Sequence, residues 1–211
     1  INNIACRRLA NGEKQDYALM VMAQQAKIEA RSIMTKPINI NGLKKALPEI
    51  RKMTMTSPQE FCPKLRNMLS DFGIVIIFLP HINGSFLHGA TFYDGKKIVI
   101  GITVRGKDAD KFWFSLFHEF AHIIYGHIGQ ANGTSDDDER AADEFAKDIL
   151  IPPDEYNSFV ENGYYTNHSL LTYSRTIGID VGILVGRLQK ERVIPYSHFN
   201  ALKTKYEYSQ N

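Results

Sequence analysis

The chain has 211 residues, of which 44% are hydrophobic and 23% charged, with a formal net charge of +2. That apolar content is too high for a disordered chain. Two cysteines are too few for a disulfide scaffold, and no apolar run approaches the roughly 20 residues of a membrane-spanning helix. The small net charge hides an asymmetry: residues 1–70 carry +7, 71–107 carry +2, 108–161 carry −10 and 162–211 carry +3. The basic first third reads as solvated helix faces, with nucleic acid or an acidic partner as the sharper alternative. Cys6 and Cys62 lie far apart in no metal or redox motif, which suits free thiols in a reducing cytosol. No secretory signal opens the chain, and a start at Ile1 rather than Met is expected of a fragment of a longer protein.

Residues 14–35 read as a long helix, with Ala18, Val21, Met22, Ala26 and Ile28 at helical spacing. Ser57-Pro58-Gln59-Glu60 has the form of a capping box, and the helix it opens should run to about Asp71 and stop at Gly73, despite Pro63. The period then changes. Ile74 to Leu79 is a short β-rich apolar run, and Ser85–Tyr93 and Lys97–Ile102 flank the hairpin dipeptide Asp94-Gly95. A small, mostly antiparallel sheet is expected there. Asp108 to Tyr125 returns to helix and is apolar nearly all round, as buried helices are. A second helix should span about Asp137 to Leu150, with shorter ones at 154–160, 167–176 and 180–190. The fold class is α+β, with residues 1–70 a helical lead-in and 71–211 the domain that carries chemistry.

That chemistry centres on His118-Glu119-Phe120-Ala121-His122. Residues four apart on a helix share a face about 6 Å apart, so two imidazoles so placed can hold one Zn²⁺. Glu119 then lies beside the metal, where it can act as general base on a bound water. Burying two His and one Glu on so apolar a helix is costly unless something pairs them, and a metal site removes that cost. A third ligand is then needed. An extended HExxHxxGxxH pattern fails, because Tyr125 and Ile128 stand where it needs Gly and His. His127, five residues after His122, turns off the ligand face and reads as a helix-end residue. The remaining choice is a carboxylate from the next helix. Glu139 fits, because Asp143 follows one turn later and can accept the N–H of a ligand imidazole.

FHEFAHIIYGH, then ERAADEFA and ILIPP, resembles the ImmA/IrrE metallopeptidases, compact gluzincin-like zinc peptidases with HExxH plus a downstream Glu. The resemblance implies His118, His122 and Glu139 as zinc ligands and Glu119 as general base, with Ala142, Asp143, Phe145 and Ala146 completing the family's helix pattern. GATFYDGKKIVIGI, KDADKFWFSLFHE and GILVGRLQKERVIPYSHFNALKTKY extend the similarity to about residues 70–205. It looks like the form fused behind a helix-turn-helix repressor domain. It implies a cytoplasmic endopeptidase that cleaves a protein regulator in phage, mobile-element or stress gene control. The rival it implies is an antitoxin-like or sensor regulator that binds a partner or ligand without useful proteolysis. DNA binding would then belong to a domain outside this chain. The short segment Gly129 to Ser135 leaves little room for a lid, so an open cleft is expected.

Weaker candidates are His88 on the strand before the hairpin, and Tyr164, Tyr165 and His168 after the Asn162-Gly163 turn, as oxyanion or substrate contacts. Residues 170–188, with Gly178 at a turn and Arg187, Lys190 and Arg192 nearby, have the outline of a helix-turn-helix. The resemblance places that stretch inside the peptidase fold instead.

Overall fold

In a computed structural model of the protein, residues 13–80, 89–103, 108–130 and 133–207 are described. Three helices come first: α1 Glu13–Ala30, α2 Ile40–Lys52 and α3 Pro58–Ser70. Strands β1 Ile74–Leu79, β2 Gly89–Asp94 and β3 Lys97–Thr103 follow. Among the described residues five α-helices follow: α4 Ala109–Tyr125, α5 Asp136–Leu150, α6 Pro153–Glu161, α7 Asn167–Ile177 and α8 Val181–Lys190. This is the expected α+β order. None of the helices among the described residues is long and apolar enough to cross a membrane.

The sheet is evenly mixed rather than mostly antiparallel. Its order is β1-β3-β2, with β3 parallel to β1 and antiparallel to β2. The Asp94-Gly95 turn delivers the expected hairpin, pairing Asp94 with Lys97. Parallel strands need a crossover of a dozen or more residues, and here the segment containing β2 serves as that crossover. The early part of the expected strand, Ser85 to His88, lies outside the described residues.

The strands' alternation splits the core in two. Val75, Ile77, Leu79, Ala90, Phe92 and Val99 face α1, which buries Leu19, Met22, Ala23, Ala26 and Ala30 against them. Val21 and Ile28, expected on that inner stripe, are exposed; the side chain of Ala18 is outside the described set. The helix ends at Ala30, not at residue 35. Pro37 disfavours helix just before it, and the Lys97 ammonium takes the Ala30 and Ile33 carbonyls at 2.5 and 3.1 Å.

The other sheet face, with Ile74, Ile76, Ile98, Ile100 and Ile102, joins the larger core around α4. Helix α2, which sequence patterning did not show, contributes Leu43, Leu47 and Ile50 to it despite carrying Pro48, and Asn39 caps it by accepting from the Gly42 amide at 2.9 Å. Helix α3 starts at the expected capping box, where the Glu60 carboxylate accepts from the Ser57 amide at 3.3 Å, and adds Phe61, Leu65 and Leu69. Each such fully buried side chain contributes about 1.5–3 kcal/mol. Cys62 sits half-buried on α3, where burial pushes its thiol up; Cys6 lies outside the described residues. Trp113 of α4 is fully buried and donates its Nε1–H to the Tyr206 hydroxyl at 2.9 Å.

Candidate metal centre

Helix α4 is the buried helix that its composition demands, and both His118 and His122 are almost fully enclosed, at 1% and 0% exposure. Helix α5 packs beside it through Ala142 and Ala146, whose small side chains let the two helix axes approach closely. Ser135 and Asp138 form a capping box at the start of α5, which fixes the first turn, and Glu139 stands in that turn. The Glu139 carboxylate thereby meets both imidazoles.

The three side chains converge. His118 Nε2 lies 3.0 Å from His122 Nε2, 3.2 Å from Glu139 Oε2, and His122 Nε2 lies 3.4 Å from Glu139 Oε1. Ligand atoms about 2.0–2.1 Å from a tetrahedral zinc are separated by about 3.3 Å from one another. The spacing of the three residues therefore suits one ion, and they form a group of potential metal ligands. Both Glu139 oxygens are buried without a well-formed hydrogen bond, a cost that a cation would offset.

The electrostatics agree. Burial works against a charged His118, yet the Asp143 and Glu139 carboxylates outweigh it and raise its pKa to about 9. Burial and the neighbouring His118 charge lower His122 to about 4. Burial would raise the Glu139 carboxyl, but His118, Thr134 and His122 together hold it below its ordinary value.

Around the cluster, Asp143 Oδ1 accepts from His118 Nδ1 at 2.8 Å, as the i+4 position after Glu139 led us to expect. Glu119 is 1% exposed and accepts from the Thr91 hydroxyl at 2.5 Å through Oε2. Thr91 belongs to β2, and so does Gly89, where a Cβ would run into the Glu119 carboxylate. The residue at 89 must therefore lack a side chain for Glu119 to keep its position. Neither β2 residue stands out in sequence, since their closeness to α4 depends on the register of the sheet.

His127 stands just past the end of α4, as expected, and is buried there. Gly126 closes α4 in the left-handed region at φ 75°, the His127 amide returns to the His122 carbonyl at 2.9 Å, and the ring turns inward to 9% exposure. Its Nδ1 lies 3.0 Å from His122 Nδ1 and its Nε2 3.3 Å from Asp138 Oδ1. A helical wheel misses this, because the chain has already left the helix at residue 127.

Of the weaker candidates, the three among the described residues are not part of the ligand group. Tyr165 packs on Phe159 and spends its hydroxyl on the Val160 carbonyl at 2.9 Å. Tyr164 is 70% exposed, and His168 is exposed on α7. His88 lies outside the described residues. The helix-turn-helix outline is real as α7, Gly178 and α8, but α8 buries Ile183, Leu184, Val185 and Leu188 in the core. Arg187 is held by the Lys147 and Ile151 carbonyls at 3.2 and 2.7 Å. A cavity of about 460 Å³ lies beside the cluster, walled by Phe114, Leu150, Ile183 and Lys190, and reaches it only through Asp143.

Comparison with known proteins agrees with this geometry. No curated protein matches the chain. The family model for the IrrE N-terminal-like domain, Peptidase_M78, matches residues 69–189, more than half of the chain and the whole span from α3's end to α8. The chain therefore belongs to the IrrE N-terminal-like family of metallopeptidases.

Proposed function

We propose that the protein is a cytoplasmic zinc-dependent endopeptidase that hydrolyses a peptide bond in a protein regulator such as a repressor. In this reading His118, His122 and Glu139 are the metal ligands and Glu119 is the general base. The observation that carries it is the convergence of two imidazole nitrogens and one buried carboxylate within 3.0–3.4 Å, with the base on the adjacent residue. Two imidazoles and one carboxylate at tetrahedral spacing, with a fourth position left over, favour zinc among the divalent metals. Zinc bound there would supply a Lewis acid that acidifies water and polarises the scissile carbonyl.

The chain's own residues supply the rest. The Thr91 hydroxyl holds Glu119 through Oε2, so the carboxylate is positioned before substrate arrives. Glu119 takes the proton of the attacking water and passes it to the leaving amine. Strand β2 is paired with β3 on one side. Its other edge, beginning at Gly89, is the place for an extended substrate segment to add backbone hydrogen bonds. Asp143 holds the His118 ring through Nδ1, leaving Nε2 turned to the ligand cluster.

Elemental analysis of protein purified without added metal tests the site. Wild type should carry about one zinc per chain, and Glu139→Ala much less. In a randomised peptide mixture read by mass spectrometry, wild type should generate cleaved products, while Glu119→Gln keeps its zinc and generates none. A wild type that takes no zinc even when supplied, or a Glu119→Gln protein that cleaves as well, would overturn the proposal. Regulation that survives Glu119→Gln would favour the non-proteolytic partner-binding alternative.

A further inference from the structure

We infer that His127 is a positioning residue for the metal centre, holding the His122 ring through a line of hydrogen bonds that ends on Asp138. The inference rests on the ligand assignment proposed above.

His122 Nδ1 and His127 Nδ1 face each other at 3.0 Å. Two imidazole nitrogens at that distance share one proton: one donates and the other accepts. If His127 donated, neutral His122 would carry its proton on Nε2. That proton would point at His118 Nε2, 3.0 Å away, and block the ligand position. If His122 donates from Nδ1, its Nε2 is bare and able to bind a metal. His127 Nδ1 is then the acceptor, and its own proton sits on Nε2, which lies 3.3 Å from Asp138 Oδ1. One arrangement of protons thus satisfies every contact and leaves the ligand nitrogen open.

The end of the line is itself fixed. Asp138 Oδ2 accepts from the Ser135 amide at 2.9 Å and from its hydroxyl at 2.8 Å, which leaves Oδ1 toward His127. Asp138 precedes Glu139 on the first turn of α5. One capped turn therefore supplies both the third ligand and the anchor for the second ligand's ring. His118 is braced by α5 as well, directly through Asp143 at 2.8 Å. Each ligand imidazole is thus oriented by a carboxylate of α5, His118 by direct contact and His122 by way of His127. Outer partners of this kind typically change metal affinity 10- to 100-fold when removed.

Two measurements on the full chain test this. In zinc-loaded wild type with ¹⁵N-labelled histidine, NMR should show His122 protonated at Nδ1 and His127 bare at Nδ1 and protonated at Nε2. A nitrogen–nitrogen coupling should cross the His122–His127 bond. A proton on His127 Nδ1, or no such coupling, would overturn the inference. In competition with a chelator, His127→Phe should bind zinc about 10- to 100-fold more weakly than wild type, with an unchanged circular dichroism spectrum. Equal affinity would overturn it. If His127→Phe does not fold, the wild-type spectrum decides alone. Glu139→Ala separates the two claims: wild type binding zinc through Glu139 while His127→Phe matches it sinks the positioning role and spares the ligand assignment. A wild type that binds no zinc sinks both.

Discussion

Glu119 is held from the sheet rather than from its own helix. The Thr91 hydroxyl reaches its carboxylate, and Gly89 leaves the room that carboxylate needs. Thr91→Val keeps shape and removes the donor, so peptide cleavage should fall about tenfold or more, with zinc content unchanged. Unaltered cleavage would show that Thr91 does not position the base. Gly89→Ala forces a methyl group onto the same carboxylate. It should cost about 1–3 kcal/mol in urea unfolding and depress cleavage further than stability alone explains. The two imidazoles give a pH signature in metal-free protein. His118 is raised to about 9, so its contribution is complete below its ordinary 6.5 and is lost as pH climbs toward 9. His122 is lowered to about 4, so stability declines as pH falls from 6.5 toward 4. Together they place this pair's optimum near pH 6.5, measurable by urea unfolding in chelator. Zinc binding needs both rings deprotonated, so added zinc should move the optimum upward. An optimum that zinc leaves in place would contradict the ligand assignment.

Helices α4 and α5 were legible in the sequence because local spacing specifies them. His118 and His122 share a face by their i, i+4 separation, and Glu139 and Asp143 do the same on α5, so four residues of the site followed from two helical periods. What required tertiary structure was less accessible. Thr91 and Gly89 reach Glu119 only through the β2–β3 register and the packing of that sheet face on α4. His127 meets His122 only because Gly126 reverses the chain. Helix α1 misled for another reason: it is apolar on both sides, with Tyr17, Met20, Val21 and Ile28 outside and Leu19, Met22 and Ala26 inside, so composition alone did not choose its inner stripe. Helix α2 was hidden by Pro48, which its three buried residues override. Lys97 joins α1 to the sheet by donating to the carbonyls of Ala30, the helix's last residue, and of Ile33 just beyond it. Lys97→Met should leave those carbonyls without their charged donor, destabilise the protein by about 1.5–3 kcal/mol and speed amide exchange along α1 before the rest of the chain. Uniform exchange in α1 and the core would contradict that role.

The proposed metal centre ties α4 to α5, and α4 also packs against α2, α8 and strands β2 and β3. A ligand that binds only the folded state adds its binding free energy to stability, about 4 kcal/mol when present at a thousand times its dissociation constant. For a protein of this size, chelation should then lower Tm by about 10 °C, and zinc should restore it. Calorimetry with and without chelator checks this, and an unchanged Tm would mean that no ion bridges the two helices. Strand β1 lies parallel on one side of β3, and hairpin strand β2 lies on the other. The edge beside Glu119 is therefore left to β2. The same architecture has an optical consequence. The chain's one tryptophan, Trp113, sits on α4 five residues before His118, fully enclosed and hydrogen-bonded to Tyr206 near the end of the chain. Its emission should be blue-shifted in the native protein and move to the red when α4 leaves the core. Unlabelled protein thus reports, by its own fluorescence, the integrity of the helix that carries the ligands.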